Sequence, residues 1–247
     1  SNKNGLSGSS FPDELFALTS LQSFHLDQED ILEAVIPPTI ARLTNLQSFV
    51  WERNIASTLL PSELGLLTSL TRISISGGSL LGTIPSSFSN LSDLQYLHLE
   101  GYYLDGPIPT ELANLTKLEN LILFGDFTGE FPVDIIRNNP SLIEFSLNNP
   151  FRSAITGSLS DWMFETNTNW RAFQISGVNW GGSIPTSIGR LNHLRYLHFE
   201  NTPLTGSIPT EIGRCRRLRG LTLIGDLDME GTVPTEIVNL TKLEELT

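Results

Sequence analysis

The chain of 247 residues has only one cysteine, Cys215, so it cannot form an internal disulfide. Its four histidines are spread apart and no cysteine pairs exist, so we predict no metal site and no cofactor. No run of about 20 apolar residues is present, so no segment is predicted to span a membrane. The first residues also lack the apolar core of a signal peptide. Any membrane anchor is therefore expected outside this stretch.

Positive charge is also scarce in this sequence. Lysine and arginine number 15 against 27 acidic residues, which gives a net charge of −12 at pH 7. An acidic surface repels the phosphate backbone, so we predict no nucleic-acid partner. Apolar residues make up 39% of the chain, which is enough to bury a core.

What the sequence has in abundance is an internal repeat. Apolar residues stand 3, 6, 9, 12 and 14 positions after Pro85, and the same frame recurs every 23 to 28 residues. The turns that begin at Pro132 and Ser160 carry one extra residue before the strand. The anchors of the frame are Pro12, Pro37, Pro61, Pro85, Pro109, Pro132, Ser160, Pro185, Pro209 and Pro234.

This spacing predicts an α/β solenoid of about ten turns, each about 24 residues long. Each turn ends in an L-x-L alternation, the period of a strand with one buried face. The preceding apolar residues at every third position suit a 3₁₀ or irregular pass on the opposite, convex side. We therefore expect a concave parallel sheet in which Leu97 and Leu121 lie on neighbouring strands.

The segments Leu104–Pro109 and Leu204–Pro209 carry the string L-x-G-x-I-P ahead of the leucine frame. This pattern resembles the plant-type leucine-rich repeat of receptor kinases, receptor-like proteins and polygalacturonase inhibitors, and the resemblance covers essentially the whole chain. It implies a right-handed superhelix and a single domain, residues 1–247. It also implies cysteine-rich caps, which are missing here. We therefore expect the domain to start and stop within a repeat, uncapped at both ends.

One family feature is largely missing. The asparagine expected three residues after the second strand leucine is present at Asn54 and Asn4 but replaced in most turns. This departure favours a lineage outside plants, such as an alga or a protist. Glycine or asparagine instead stands one place earlier, at Gly77, Gly101, Gly125, Asn149, Gly177, Asn201 and Gly225.

Three arginines occupy one outward column in consecutive turns: Arg171, Arg195 and Arg219. Like charges on adjacent strands are destabilising, and an acidic ligand would remove that cost. The alternative is that these side chains extend into solvent or pair with Glu144 or Glu200.

A second pattern places a histidine two residues before a carboxylate. The three pairs are His25 with Asp27, His98 with Glu100, and His198 with Glu200. They lie three and four turns apart, about 14–20 Å, so no single centre can use more than one. Local histidine–carboxylate bonding or a pH-tunable contact is the expected limit. No catalytic constellation can be placed, so we predict that the chain is not an enzyme.

Aromatic residues add candidate ligand contacts. Tyr96, Tyr196 and Phe124 flank the predicted strands, and Tyr102 and Tyr103 follow one of them. Tyrosine is favoured at interfaces because it supplies area at low entropic cost. Packing against neighbouring turns is an equally good explanation. The insertion at 148–155 marks the irregular turn, and such loops often carry binding residues.

Asn90, Asn114 and Asn239 each begin an N-L-[ST] sequence, the acceptor pattern for N-glycosylation, in the same convex slot. The pattern agrees with a secretory route, although N-L-[ST] is itself part of the plant-type repeat. Cys215 occupies a core leucine slot, so we expect a buried and inert thiol.

Together these features predict a binding module whose concave face takes a protein, a peptide or an acidic glycan. The resemblance implies an extracellular or cell-surface, receptor-like protein. A structural scaffold of a wall or matrix is the first alternative, and a secreted inhibitor of a wall-degrading enzyme is the second. The sequence leaves the oligomeric state open.

Overall fold

The L-x-L segments of successive turns form parallel strands that lie side by side. The computed structural model describes residues 11, 13–27, 35–53, 57–77, 80–151, 155–225 and 228–247. Its strands are β1 (Ser23–Asp27), β2 (Ser48–Glu52), β3 (Thr58–Leu59), β4 (Arg72–Ser76), β5 (Leu80–Gly82), β6 (Tyr96–Pro107), β7 (Asn120–Glu130), β8 (Glu144–Asn148), β9 (Ile155–Ser158), β10 (Ala172–Ser176), β11 (Asn179–Gly181), β12 (Tyr196–Glu200), β13 (Thr205–Gly206), β14 (Gly220–Ile224), β15 (Asp228–Met229) and β16 (Glu245–Leu246).

The main sheet runs in the order β1-β2-β4-β6-β7-β8-β10-β12-β14-β16. Leu97 on β6 pairs with Leu121 on β7 in parallel register, which confirms the predicted stacking. Both leucines are fully buried, whereas the residues between the strand leucines face the concave side. One chain turn therefore adds one strand, and a turn cannot bury its apolar face without its neighbours.

A second, smaller set of strands, here called the lateral strands, follows the concave sheet along the side of the solenoid. The sequence did not predict these strands. β3, β5 and the end of β6 pair in parallel, the end of β7 pairs with β9, and β9 pairs with β11. The L-x-G segment supplies these strands. Gly106 there has φ +76°, a left-handed conformation that other residues rarely adopt.

The convex side consists mostly of short 3₁₀ turns, as the three-residue spacing predicts. The two turns with an extra residue instead form one-turn α-helices, α1 (Asp134–Arg137) and α2 (Trp162–Glu165). An α-helix takes more residues per turn than a 3₁₀ helix, which accommodates the insertion. The 3₁₀ turns span Asp13–Ala17, Pro38–Arg42, Ser62–Leu66, Ser86–Asn90, Thr110–Asn114, Thr186–Arg190, Thr210–Arg214 and Thr235–Asn239.

One continuous apolar core lies between the concave sheet and the convex turns. Leucine and isoleucine fill most of it, and Trp51, Trp170 and Trp180 are almost completely buried. Cys215 is fully buried as predicted, and its Sγ lies 3.2 Å from the carbonyl oxygen of Ile188. Burial raises the pKa of this thiol to about 12, which keeps it protonated and unreactive.

The position one place before the asparagine slot is constrained in two consecutive turns. Asn149 lies buried one place before that slot, and its amide donates to the carbonyl oxygen of Phe127 on the preceding turn, 2.8 Å away. In the following turn the equivalent residue is Gly177, with φ +67°, and a Cβ there would lie 2.0 Å from the carbonyl oxygen of Asn149. Asn4 and Asn54 lie outside the described residues.

Candidate functional site

The concave face presents three columns of side chains between and beside the buried strand leucines. The parallel register places Tyr96 beside Asn120, His98 beside Ile122, and Glu100 beside Phe124. Equivalent positions repeat along the sheet from β1 to β14. Side chains within one column are about 4.8 Å apart from turn to turn, so a ligand lying across the strands meets several of them.

The arginine column is continuous at the level of the backbone. The amide of Arg195 donates to the carbonyl of Arg171 at 2.8 Å, and the amide of Arg219 donates to that of Arg195 at 2.7 Å. All three side chains are exposed at the edge where β10, β12 and β14 begin. Arg219 pairs with Glu244 at 2.6 Å, and no described carboxylate pairs with Arg171 or Arg195. The alternative pairing with Glu144 or Glu200 is therefore absent from the described residues.

Two of the three histidine–carboxylate pairs form. In both the His98–Glu100 and the His198–Glu200 pair, the histidine Nε2 lies 3.3 Å from the carboxylate Oε2. The first pair differs, because Asp27 instead pairs with Arg53. Each pair is local to its own strand, as the sequence spacing requires.

His98 belongs to a polar network that crosses three strands. The hydroxyl of Ser74 donates to Glu52 Oε1 at 2.8 Å, and His98 Nδ1 lies 3.3 Å from the same hydroxyl oxygen. A hydrogen bond and the charge of His98 hold the pKa of Glu100 below its ordinary value of 4.5.

This network brings together a serine, a histidine and two glutamates, a combination that sequence reasoning did not find because its members come from three turns. Its geometry does not activate a nucleophile. Ser74 is fully buried, and its hydroxyl donates a hydrogen bond to Glu52 Oε1, a shorter contact than the one to His98. The network instead fixes the orientation of the His98 ring on the concave face.

Two tyrosines pack on the concave face, Tyr96 beside the polar network and Tyr196 against the next turn. The guanidinium of Arg72 lies 3.7 Å from the centroid of the Tyr96 ring, a cation–π contact. The Tyr96 ring meets the His98 ring edge to face at 6.5 Å. Tyr196 leans over the next turn, where a Cβ on Gly220 would lie 3.0 Å from its Cδ1. Tyr196 remains 43% exposed.

An exposed aromatic cluster, formed by Tyr102, Phe124 and Phe151, lies at the edge where the concave strands end. Tyr102 packs edge to face on Phe124 with centroids 5.2 Å apart, and Phe151 lies 6.4 Å from Tyr102. Tyr102 and Phe151 are 50% and 56% exposed, and neighbouring Tyr103 is 60% exposed. The sequence analysis identified the insertion at 148–155 as a possible binding loop but did not single out Phe151. The only signal for this residue was its aromatic ring within the insertion.

Charge is distributed unevenly along the concave face. The earlier strands present carboxylates at Asp27, Glu52 and Glu100. Of the described arginines there, Arg53 pairs with Asp27 and Arg72 stacks on Tyr96. The arginine column lies at the later turns. The concave face is therefore acidic and aromatic at its earlier turns. At its later turns it is basic along the edge where the strands begin.

The candidate glycosylation sites share one position on the convex side. Asn90, Asn114 and Asn239 are each the last residue of a 3₁₀ turn, and all three are exposed. An attached glycan there would point away from the concave face.

Within the described ranges, no group of three or more histidine, cysteine or acidic side chains is placed to hold a metal ion. None of the helices described is both long and apolar enough to cross a bilayer.

A family model for the leucine-rich repeat matches residues 69–91 and 193–215. Among solved structures, a TDR receptor is 25% identical with a TM-score of 0.76, and the alignment covers 97% of this chain and 44% of that chain. The Arabidopsis receptor kinase HAESA, solved with the peptide hormone IDA and the co-receptor SERK1, is 24% identical with a TM-score of 0.78, covering 96% and 43%. No curated protein sequence gave a significant match.

Similar folds also occur outside these receptors. A plant ice-binding protein is 20% identical with a TM-score of 0.62, and the alignment covers 91% of this chain and 79% of that chain. The chain is thus an α/β solenoid with the leucine-rich-repeat fold. It spans less than half the length of the two receptor chains.

Proposed function

We propose that the chain is the ligand-binding part of an extracellular, receptor-like protein and that its concave face binds a peptide or a segment of a protein. The observation that carries this proposal is the exposed aromatic cluster beside the ordered polar network. Tyr102 and Phe151 are half exposed although aromatic rings are usually buried. Exposed aromatic patches rimmed by polar groups are typical of interaction sites.

The surroundings of the cluster suit an extended peptide. Glu100 lies beside Phe124 in register, so a carboxylate and a ring are offered by adjacent strands. His98 is held by Ser74 and Glu100, and such fixed side chains lose little entropy when a ligand binds. The rigid sheet needs no rearrangement to expose these groups.

Neighbouring folds support the same function at the level of analogy. HAESA was solved with a peptide hormone, and PEPR1 with AtPEP1. The exposed acceptor asparagines on the convex side agree with passage through the secretory route. The arginine column, through Arg171 and Arg195, would receive acidic groups of the ligand.

A random 12-residue peptide display library, selected on the immobilised chain, tests the proposal. We expect selected peptides to bind wild type and to lose at least about tenfold in affinity when Tyr102 and Phe124 are both changed to alanine, since central aromatic contacts dominate binding. The matched control changes the exposed convex residues Leu66 and Val238 to alanine and should leave affinity unchanged. Selected peptides that bind the Tyr102→Ala, Phe124→Ala variant as tightly as wild type would refute a concave aromatic site.

A further inference from the structure

The densest run of positive charge in the chain is Arg-Cys-Arg-Arg-Leu-Arg at 214–219. Short basic runs of this kind are typical of patches that bind heparin or nucleic acid. The fold divides the run. Arg219 lies at the concave edge and pairs with Glu244, whereas Arg214, Arg216 and Arg217 are exposed on the convex side.

These three arginines line one open groove, here called the convex arginine groove. It crosses three convex turns and is bounded by residues 189–193, 210–217 and 236–239. Gly189 leaves room for the side chain of the next turn, because a Cβ there would lie 3.2 Å from Cδ of Arg214 and 2.9 Å from Cβ of Glu211. The stacked turns therefore form the convex arginine groove with Gly189 as part of its lining.

The carboxylates of the groove do not neutralise its arginines. Glu211 and Glu236 each accept a hydrogen bond from the hydroxyl of the preceding threonine at 3.2 Å. No carboxylate of the described residues forms an ion pair with Arg214, Arg216 or Arg217. The groove thus holds three guanidinium groups and two carboxylates, and none of these guanidinium groups forms an ion pair with a described carboxylate.

One of these groups contacts a histidine. Nη1 of Arg217 lies 3.0 Å from Nδ1 of His193, one turn away. A guanidinium only donates hydrogen bonds, and it keeps its positive charge in this contact. The remaining N–H groups of the guanidinium are available to an anion.

We propose that the convex arginine groove binds a linear sulfated polysaccharide. Guanidinium groups offer several N–H donors in a planar fork that matches the oxygens of sulfate and phosphate. Sulfate groups repeated along one chain would engage several arginines at once, so individually weak contacts add. Duplex nucleic acid is disfavoured, because it carries one charge per about 1.7 Å and the rest of this acidic surface repels it. The groove lies opposite the concave face, so the inference is independent of the proposed function.

Binding of a fluorescent heparin dodecasaccharide to the full chain tests the inference by anisotropy at 50 and 200 mM salt. The protein is produced without N-glycans, because the acceptor residue Asn239 also lines the groove. We expect at least about tenfold weaker binding for the triple variant Arg214→Gln, Arg216→Gln, Arg217→Gln. The slope of log affinity against log salt should shrink by roughly 2, at about 0.7–0.9 per lost contact.

The matched control is Arg42→Gln, Lys117→Gln, Arg137→Gln, which removes the same charge from exposed positions on other convex turns, outside the groove. It should bind heparin as wild type does, and circular dichroism should show both variants folded. The single variant Arg216→Gln, at an exposed position, provides a milder test and should weaken binding about two- to fivefold. Equal losses in the two triple variants, unchanged binding in the convex variant, or equally tight binding of desulfated heparin or single-stranded DNA would each overturn the inference.

Discussion

Replacing Phe173 with alanine removes a ring on which four other buried aromatic side chains pack. The ring centroids of Phe145, Phe164, Trp170 and Phe199 lie 5.1 to 6.1 Å from that of Phe173, which is fully buried. Truncating a buried phenylalanine costs about 3–5 kcal/mol. Aromatic pairs add about 0.5–1.5 kcal/mol each beyond area burial, so we expect a loss at the upper end, about 5 kcal/mol.

Urea unfolding of wild type and Phe173→Ala, followed by tryptophan fluorescence and far-UV circular dichroism, measures this loss. Buried Trp170 reports directly on the altered site, since its ring lies 5.4 Å from that of Phe173. Phe151→Ala is the matched control, because it deletes the same atoms from a side chain that is 56% exposed. It should cost no more than about 0.5 kcal/mol. A loss below about 2 kcal/mol for Phe173→Ala would show that neighbouring turns collapse into the cavity, contrary to this reasoning.

Two further predictions concern the polar network and the convex side. The pKa of the Glu100 carboxyl, followed by NMR, should lie below 4.5 in wild type and return towards 4.5 in His98→Ala. Because the folded pKa is lowered, the stability that this contact adds is present above pH 4.5 and lost as pH falls through the folded value; an unchanged Glu100 pKa in the variant would contradict the cause. Secreted from eukaryotic cells, the chain should carry N-glycans at Asn90 and Asn114, and each asparagine-to-glutamine change should remove one endoglycosidase-sensitive mass increment. Secreted protein without any such increment would refute this prediction.

The repeat frame was sufficient to predict the solenoid, because every turn supplies its own apolar face in fixed register. Leu97 and Leu121 pair as expected, and the extra residues near Pro132 and Ser160 fall where the convex turn becomes α-helical. The lateral strands were not predicted, because the L-x-G segment lacks the alternation of apolar and polar residues that indicates a strand. Gly106 shows its role there only through its left-handed backbone.

The candidate site was predicted in part. The columns of outward residues follow from the constant repeat length, so the sequence alone could place the arginine column through Arg171 and Arg195. Contacts between turns could not, because they depend on side-chain orientation. Ser74 joins Glu52 to His98 only because three neighbouring strands present these side chains within hydrogen-bonding distance.

The sequence by itself determined the class of fold, the identity of the core leucines and the outward columns. A repeat of nearly constant length fixes which residues of successive turns lie beside each other. Tertiary structure alone decided which charges are paired. The run 214–219 reads as one basic segment, yet the bend between the convex turn and the strand sends Arg219 to Glu244 and leaves Arg216 and Arg217 on the opposite side. Side chains adjacent in sequence separate there because the chain changes direction between them.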